Sequence, residues 1–163
     1  MSKQKLRITI GIDPGSGSSS PTAVGAIMLE PLRFVHVEDF WPKSKSQNAR
    51  LRELNEFATV LLGSIDPDAE LTVVVESFCI RGRGNQILQQ VIGALKAAVP
   101  AHAQLIDVPN TTVKRLIGGS GKADKQAVAA GVAKRLNIDV SELSPDQTDA
   151  LAIALAAMEL ADE

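Results

Sequence analysis

Four carboxylates spread along the chain are the residues whose types and spacing could do chemistry together. Asp13 closes an apolar stretch over residues 8–12, Glu76 closes another over residues 71–75, and Asp146 and Asp149 lie three positions apart near the last apolar stretch. Carboxylates within a few ångströms raise each other's pKa, and Mg²⁺ relieves that repulsion because it prefers oxygen ligands. Two such ions about 3.5–4 Å apart can activate a water and stabilise the leaving oxygen in phosphodiester cleavage.

Each acid also has a structural interpretation, which the sequence leaves open. Asp13 precedes Pro14 and Gly15, and Asp-Pro-Gly is commonly just a turn. Asp146 and Asp149 could merely stabilise a helix N-terminus through its dipole, by about 0.3–1 kcal/mol. A carboxylate that closes a run of three valines, as Glu76 does, is poorly placed for structure and well placed for a ligand. The functional interpretation therefore depends on the four acids meeting in space.

Two strands and one helix would have to position these acids. Residues 6–12 and 71–76 are apolar on both faces and rich in β-branched side chains, which is typical of central strands. Ser144, Pro145 and Gln147 predict a capping box and a helix that runs to about residue 160. Ligands of open α/β sheets collect at the carboxyl ends of the strands. If the helix begins at that edge, all four carboxylates converge.

The other elements follow from hydrophobic spacing and turn residues. Residues 22–29 and 33–40 predict strands that form an antiparallel meander with the first, and residues 104–108 predict a fifth strand. Helices are predicted over 49–62 and 85–98, then a short one capped by Asn110 or Thr111, then one from Lys122 or Ala123 to residue 136. The helix over 85–98 has more than one apolar stripe, which suggests a second packing partner such as another subunit.

Composition bounds the class of protein. A chain of 163 residues with 45% hydrophobic and 22% charged residues fits one globular domain over residues 1–163. The net charge of -2 does not exclude nucleic acid, because clustered acids would mask a basic surface elsewhere. Residues 114–135 hold six basic residues and one acid, which indicates either such a surface or an ordinary solvated helix face.

The single cysteine, Cys79, cannot form an internal disulfide and indicates a reducing compartment. There is no apolar signal-peptide core, and the longest uncharged apolar run, residues 150–158, is far shorter than the about 18–20 residues that span a bilayer. We therefore expect a cytoplasmic protein without a membrane partner. His36 and His102 have no metal-ligand spacing to each other, and we assign them no role.

Four stretches, in this order, resemble the RuvC family of Holliday junction resolvases: Gly11-Ile12-Asp13-Pro14-Gly15, the strand that ends at Glu76, the lysine-containing residues 113–125, and Asp146-Gln147-Thr148-Asp149-Ala150-Leu151-Ala152. The first motif also occurs in actin-like folds, but those need two domains around a nucleotide. The resemblance implies an α/β, RNase H-like fold with a five-stranded mixed sheet, three antiparallel strands and then two parallel ones, flanked by helices on both faces. It is compatible with a phage or a divergent bacterial member.

The resemblance also implies roles for individual residues. The four acids would bind two Mg²⁺ ions per site, with Mn²⁺ as a possible substitute. Two family lysines match Lys114 and Lys125, which would lie beside the scissile phosphate as catalytic cations. DNA contacts are expected from the following residues: Phe78, Arg81, Arg83, Arg115 and Lys122.

The activity so implied is cleavage of four-way DNA junctions by paired symmetric nicks that leave 5′-phosphates and 3′-hydroxyls. A homodimer is expected, since two symmetric cuts need two sites, and a branch-migration helicase is a possible partner. The alternatives are a broader branched-DNA or flap nuclease, a ribonuclease H, and a catalytically silent junction-binding module.

Two features depart from the family pattern. The family carries an aromatic residue three positions after the strand glutamate, where this chain has Cys79, with Phe78 one position earlier. Phe78 is therefore either a base-stacking residue or part of the core. The serine-rich residues 16–20 make the turn after Gly15 longer than is usual in the family. Both departures bear on junction selectivity more than on the chemistry.

Overall fold

The computed structural model describes residues 5–78 and 85–162 of the chain. The strands are β1 Arg7–Asp13, β2 Thr22–Leu29, β3 Arg33–Phe40, β4 Glu70–Ser77 and β5 Gln104–Pro109. The helices are α1 Gln47–Gly63, α2 Asn85–Ala97, α3 Asn110–Gly118, α4 Lys125–Leu136 and α5 Pro145–Ala161. None of the helices within the described ranges is both long and apolar enough to cross a membrane.

The five strands form one sheet in the order β3-β2-β1-β4-β5. β1 pairs antiparallel with β2, and β2 with β3, whereas β1 pairs parallel with β4, and β4 with β5. The predicted mixed sheet, three antiparallel strands followed by two parallel ones, is confirmed. In this arrangement β1, β3, β4 and β5 all end at the same edge, so Asp13 and Glu76 leave the sheet on neighbouring strands.

Helices cover both faces of the sheet, as the resemblance implied. On one face α1 and α2 pack against alternate residues of the central strands, such as Ile10, Ile12, Val73 and Val75. On the other face α3, α4 and α5 pack against a second cluster that includes Val74. Because side chains alternate along a strand, Asp13 and Glu76 face the side that holds α5.

Two glycines allow α5 to lie directly on the sheet. Gly11 of β1 and Gly25 of β2 are paired in register. A Cβ atom on Gly11 would come within 2.0 Å of the Ala150 carbonyl oxygen, and one on Gly25 within 2.8 Å of the Leu151 nitrogen. Glycine is needed at both positions because of this close approach. Residues 150–157 of α5 are all buried as a result.

Side-chain caps explain where the structure moves the predicted helix starts. α1 begins at Gln47 rather than at residue 49, because the Ser46 side chain accepts a hydrogen bond from the Ala49 nitrogen. α4 begins at Lys125 rather than at Lys122 or Ala123, because Asp124 caps it through the Ala127 nitrogen. The capping box predicted at Ser144 is present.

The short helix α3 also begins differently from the prediction. Its N-cap is Pro109, without a side-chain hydrogen bond, instead of Asn110 or Thr111. The amide of Asn110 is engaged elsewhere, with Glu76. The Asn110 side chain, which the sequence assigned to helix capping, therefore contacts Glu76 instead.

Much of the apolar surface of α2 is covered within the chain. Val91 and Leu95 are fully buried in the cluster shared by the sheet, α1 and α2. Asn55 of α1 donates from Nδ2 to the Ala94 carbonyl oxygen at 2.9 Å. Helix α1 thus covers part of the surface that the sequence suggested for another subunit, while Ile87 remains 43% exposed.

Candidate active site

Three of the four predicted acids form a compact cluster. Asp13 ends β1, and Asp146 and Asp149 project from the first two turns of α5. One carboxylate oxygen from each lies within 4.8 Å of one from each of the others, and all three residues are half-buried. The expected convergence of strand β1 with the start of α5 therefore occurs.

Glu76 lies beside this cluster rather than within it. Its side chain ends β4 and is buried, and its Oε1 accepts a hydrogen bond from Nδ2 of Asn110. The charges are coupled all the same: Glu76 raises the pKa of Asp13, and Asp149 raises the pKa of Glu76. The four acids thus act as one electrostatic group, although only three share a possible set of metal ligands in the described residues.

Burial and mutual repulsion place a proton on the cluster at neutral pH. Burial, followed by the charges of Glu76, Asp149 and Asp146, raises the pKa of Asp13 to about 8, and Lys125 opposes this. Burial is also the largest cause that raises the pKa of Glu76 and of Asp149. A half-buried group of oxygens that cannot all ionise fits a divalent cation of the Mg²⁺ type, which would replace the proton as the compensating charge.

Two lysines, Lys114 and Lys125, border the acids. Nζ of Lys125, the first residue of α4, lies 3.5 Å from Oδ2 of Asp149. Lys114 of α3 lies in the same cleft, and its charge favours the ionised form of both Glu76 and Asp149. The cleft has a volume of about 110 Å³ and is lined by Glu76, Asn110, Val113, Lys114, Lys125, Val128, Asp149 and Ile153.

The expected DNA-contacting residues are less tightly grouped. Arg115 and Lys122 are exposed, on α3 and on the turn before α4. Phe78 is half-buried against the core cluster on the α1 and α2 face, opposite the acids. Arg81 and Arg83 lie outside the described residues, as does Cys79. DNA contacts by these residues stay predictions.

Sequence reasoning missed Asn110, which the structure places against a predicted acid. Glu76 and Val108 are paired in the parallel ladder of β4 and β5, so Asn110 follows β5 at the edge where Glu76 leaves β4. A polar side chain just after the strand next to a carboxylate was the signal that could have found it. The hydrogen bond from Asn110 is the largest influence that lowers the pKa of Glu76.

We expect Asn110→Ala to raise the pKa of Glu76 and to shift the rising limb of the cleavage pH profile to higher pH. The hydrogen bond from Asn110 favours the ionised form of Glu76, and its loss leaves more of Glu76 protonated at pH 7. The cleavage rate at pH 7 should therefore fall roughly 10-fold, as is usual for residues that orient ligands. The loss should shrink at pH 9. Thr111→Ala, one residue further along α3 and exposed, is the control. An equal loss at both pH values would contradict this role of Asn110.

The chain is similar to known proteins of one family. A family model described as "Crossover junction endodeoxyribonuclease RuvC" matches residues 9–157. Curated proteins with that description include one from Geotalea uraniireducens, 32% identical over 153 residues, covering 90% of this chain and 85% of the relative. Another, from Myxococcus xanthus, is 34% identical over 153 residues, covering 90% and 77%.

Two solved structures share the fold. Thermus thermophilus RuvC matches with a TM-score of 0.78 and 24% identity over 95% of both chains. The same protein described as "in complex with Holliday junction substrate" matches with a TM-score of 0.77 and 21% identity, over 96% of this chain and 95% of that one.

The fold is RNase H-like and the proteins that it matches are nucleases, so the chain is of the RNase H-like nuclease class. The family model matches residues 9–157, most of the chain, and so identifies one family within this class. The chain belongs to the RuvC family of crossover junction endodeoxyribonucleases. The family resemblance stated from the sequence is thereby confirmed, together with its fold.

Proposed function

We propose that this protein resolves four-way DNA junctions by paired symmetric nicks through two-metal phosphodiester hydrolysis. The observation that carries the proposal is the meeting of Asp13, Asp146 and Asp149 within 4.8 Å at a sheet edge bordered by Lys125, in a chain of the RuvC family. The junction-bound structure of the T. thermophilus relative supports four-way DNA as the substrate class.

The carboxylates of Asp13, Glu76, Asp146 and Asp149 would hold Mg²⁺, and Mn²⁺ offers similar oxygen-preferring chemistry. When bound, the metal supplies Lewis-acid activation of water and stabilisation of the leaving oxygen. The chain's own contribution is to hold the acids in one group before the metal arrives. Asn110 fixes the orientation of the Glu76 carboxylate through its amide.

Lys114 and Lys125 would neutralise the phosphate during cleavage. Both border the cleft that Glu76 and Asp149 also line, so a phosphodiester that entered this cleft would lie close to both cations and carboxylates. Positioned point charges of this kind stabilise the additional negative charge of the transition state. Arg81, Arg83, Arg115 and Lys122 would add salt-dependent contacts to the DNA backbone, with Phe78 as a candidate for base stacking.

A homodimer would carry out the paired cuts. Two symmetric nicks need two active sites, and a two-fold dimer matches the two-fold symmetry of a four-way junction. We further propose that the dimer acts in the cytoplasm, where a branch-migration helicase is a candidate partner.

Cleavage of a synthetic four-way junction tests this function, with a linear duplex of the same sequence as the control, each in Mg²⁺ and in EDTA. We expect paired nicks on the junction alone, and none in EDTA. Equal cutting of the junction and the duplex would instead indicate a general nuclease, and binding without cutting would indicate a silent junction-binding module.

We also expect Glu76→Gln to keep the fold and junction binding but to lose cleavage.

A further inference from the structure

Asp39, a carboxylate outside the acid cluster, links the start of helix α5 to the sheet. Asp39 lies on β3, and its Oδ2 accepts a hydrogen bond at 2.9 Å from the hydroxyl of Ser144, 105 positions further along the chain. Ser144 is the N-cap of α5, and its hydroxyl oxygen also accepts from the Gln147 nitrogen. The contact therefore ties the first turn of α5, which carries Asp146, to a strand that contributes no cluster ligand.

The sheet register places Asp39 in line with the cluster. Asp39 pairs with Ala23 on β2, and Ala23 pairs with Asp13 on β1. The two carboxylates thus lie on the same row and the same face, two strands apart, or roughly 10 Å at normal strand spacing. Asp39 does not belong to the group of possible metal ligands, so its contribution has to pass through Ser144.

Apolar packing along residues 150–157 holds α5 on the sheet, and Gly11 and Gly25 fix how closely its middle approaches β1 and β2. Apolar packing is non-directional, so a directional contact at one end of the helix adds a separate restraint. The hydrogen bond from Ser144 to Asp39 is directional and lies at the end that carries the acids. It restricts motions that would change the distances from Asp146 and Asp149 to Asp13.

We propose that Asp39 is a positioning residue that sets the place of the two α5 carboxylates relative to Asp13 by holding the Ser144 hydroxyl. The inference rests on the proposed function, because it assumes that the cluster binds a divalent cation. Mg²⁺ requires near-ideal octahedral geometry, so a small displacement of one turn of α5 costs affinity. The other oxygen of Asp39, Oδ1, is buried without a hydrogen-bond partner in the described part of the chain, so a single oxygen has to hold the helix.

The test is calorimetric titration of the folded protein with Mg²⁺ and with Mn²⁺ in the absence of DNA. Asp39→Ala should weaken metal binding roughly 10-fold, as loss of a group that orients ligands commonly does. Asp39→Asn keeps an oxygen that accepts from Ser144 and should retain the wild-type affinity. Glu38→Ala, on the same strand with its side chain on the other face, is the control and should also bind normally.

A double-mutant cycle separates positioning from general destabilisation. In a Ser144→Ala background the Asp39→Ala change should have no further effect on metal affinity, because the two residues act through one contact. Wild-type affinity in Asp39→Ala, or equal weakening in the alanine and asparagine variants, would overturn the proposal. So would a lower melting temperature of Asp39→Ala with unchanged metal affinity. Failure of the wild-type protein to bind metal would count against the proposed function instead.

Discussion

Asp13→Asn should make the metal-free protein more stable while it removes cleavage activity. Burial and three neighbouring carboxylates raise the pKa of Asp13 from 3.8 to about 8. Asparagine has a similar shape but no charge to bury or repel. Its amide cannot bind a cation as a carboxylate does, so we expect the cleavage rate to fall roughly 10³-fold, equivalent to about 4 kcal/mol of transition-state stabilisation.

The pH dependence of stability follows from the direction of the shift. Between about pH 4 and pH 8 the unfolded chain has lost the Asp13 proton while the folded chain keeps it. The folded state then binds more protons, so the free energy of unfolding falls as pH rises through this range and levels off above about pH 8. The Asp13→Asn protein lacks this contribution. Its advantage over the wild type should therefore be small near pH 4 and largest at pH 8.

Thermal melting in EDTA at pH 5 and at pH 8 measures the effect. A pKa shift of one unit corresponds to about 1.4 kcal/mol, and 1 kcal/mol corresponds to about 2–4 °C for a chain of this size. The shift of the Asp13 pKa from 3.8 to about 8 by itself corresponds to roughly 10–20 °C. Burying the asparagine amide also costs free energy, so we expect the variant to melt roughly 5–10 °C above the wild type at pH 8. An equal or lower melting temperature at pH 8 would show that Asp13 is not strained by its neighbours. Saturating Mg²⁺ should reverse the order of the two proteins.

Gly11→Ala should be among the most destabilising single substitutions in the molecule. The added Cβ would lie 2.0 Å from the Ala150 carbonyl oxygen and 2.6 Å from the Ala154 nitrogen. Both contacts are backbone atoms of α5, so only movement of the whole helix can relieve them. We expect a loss of about 3 kcal/mol in the free energy of unfolding, measured by urea denaturation in EDTA.

Gly93→Ala is the matched control for this prediction. Gly93 lies within α2 and is exposed, and a Cβ there would have no neighbour within 4 Å. The same chemical change should therefore stabilise the protein by about 0.5–1 kcal/mol, because alanine loses less backbone entropy in a helix. Comparable stability of the Gly11→Ala protein and the wild type would mean that α5 is not in close contact with β1.

The sequence predicted most of the sheet because its signals are local. The runs of valine and isoleucine in β1 and β4 indicate strands buried on both faces, and the capping box at Ser144 marks the start of α5 within one residue. The same signals also predicted that the acids lie near the ends of β1 and β4 and near the start of α5. The predicted start of α3 was wrong by one to two residues and that of α4 by two to three, because several polar residues competed to be the cap.

What the sequence did not predict depends on contacts between distant residues. The hydrogen bond from Asn110 to Glu76 and the one from Ser144 to Asp39 join positions 34 and 105 apart, and neither has a local pattern. Glycine at positions 11 and 25 suggested nothing about a helix packed across them until the register of β1 and β2 was known. Only the fold shows which residues lie next to the acids in space.

The cluster takes its first carboxylate from position 13 and its last from position 149. A ribosome must therefore synthesise all of residues 13–149 before the three acids can meet, and α5 must then pack against a strand that was made much earlier. Nascent chains, and fragments cut anywhere between these positions and separated, lack the cluster. On the function proposed above, DNA cleavage cannot begin before residues 13–149 have been synthesised and folded.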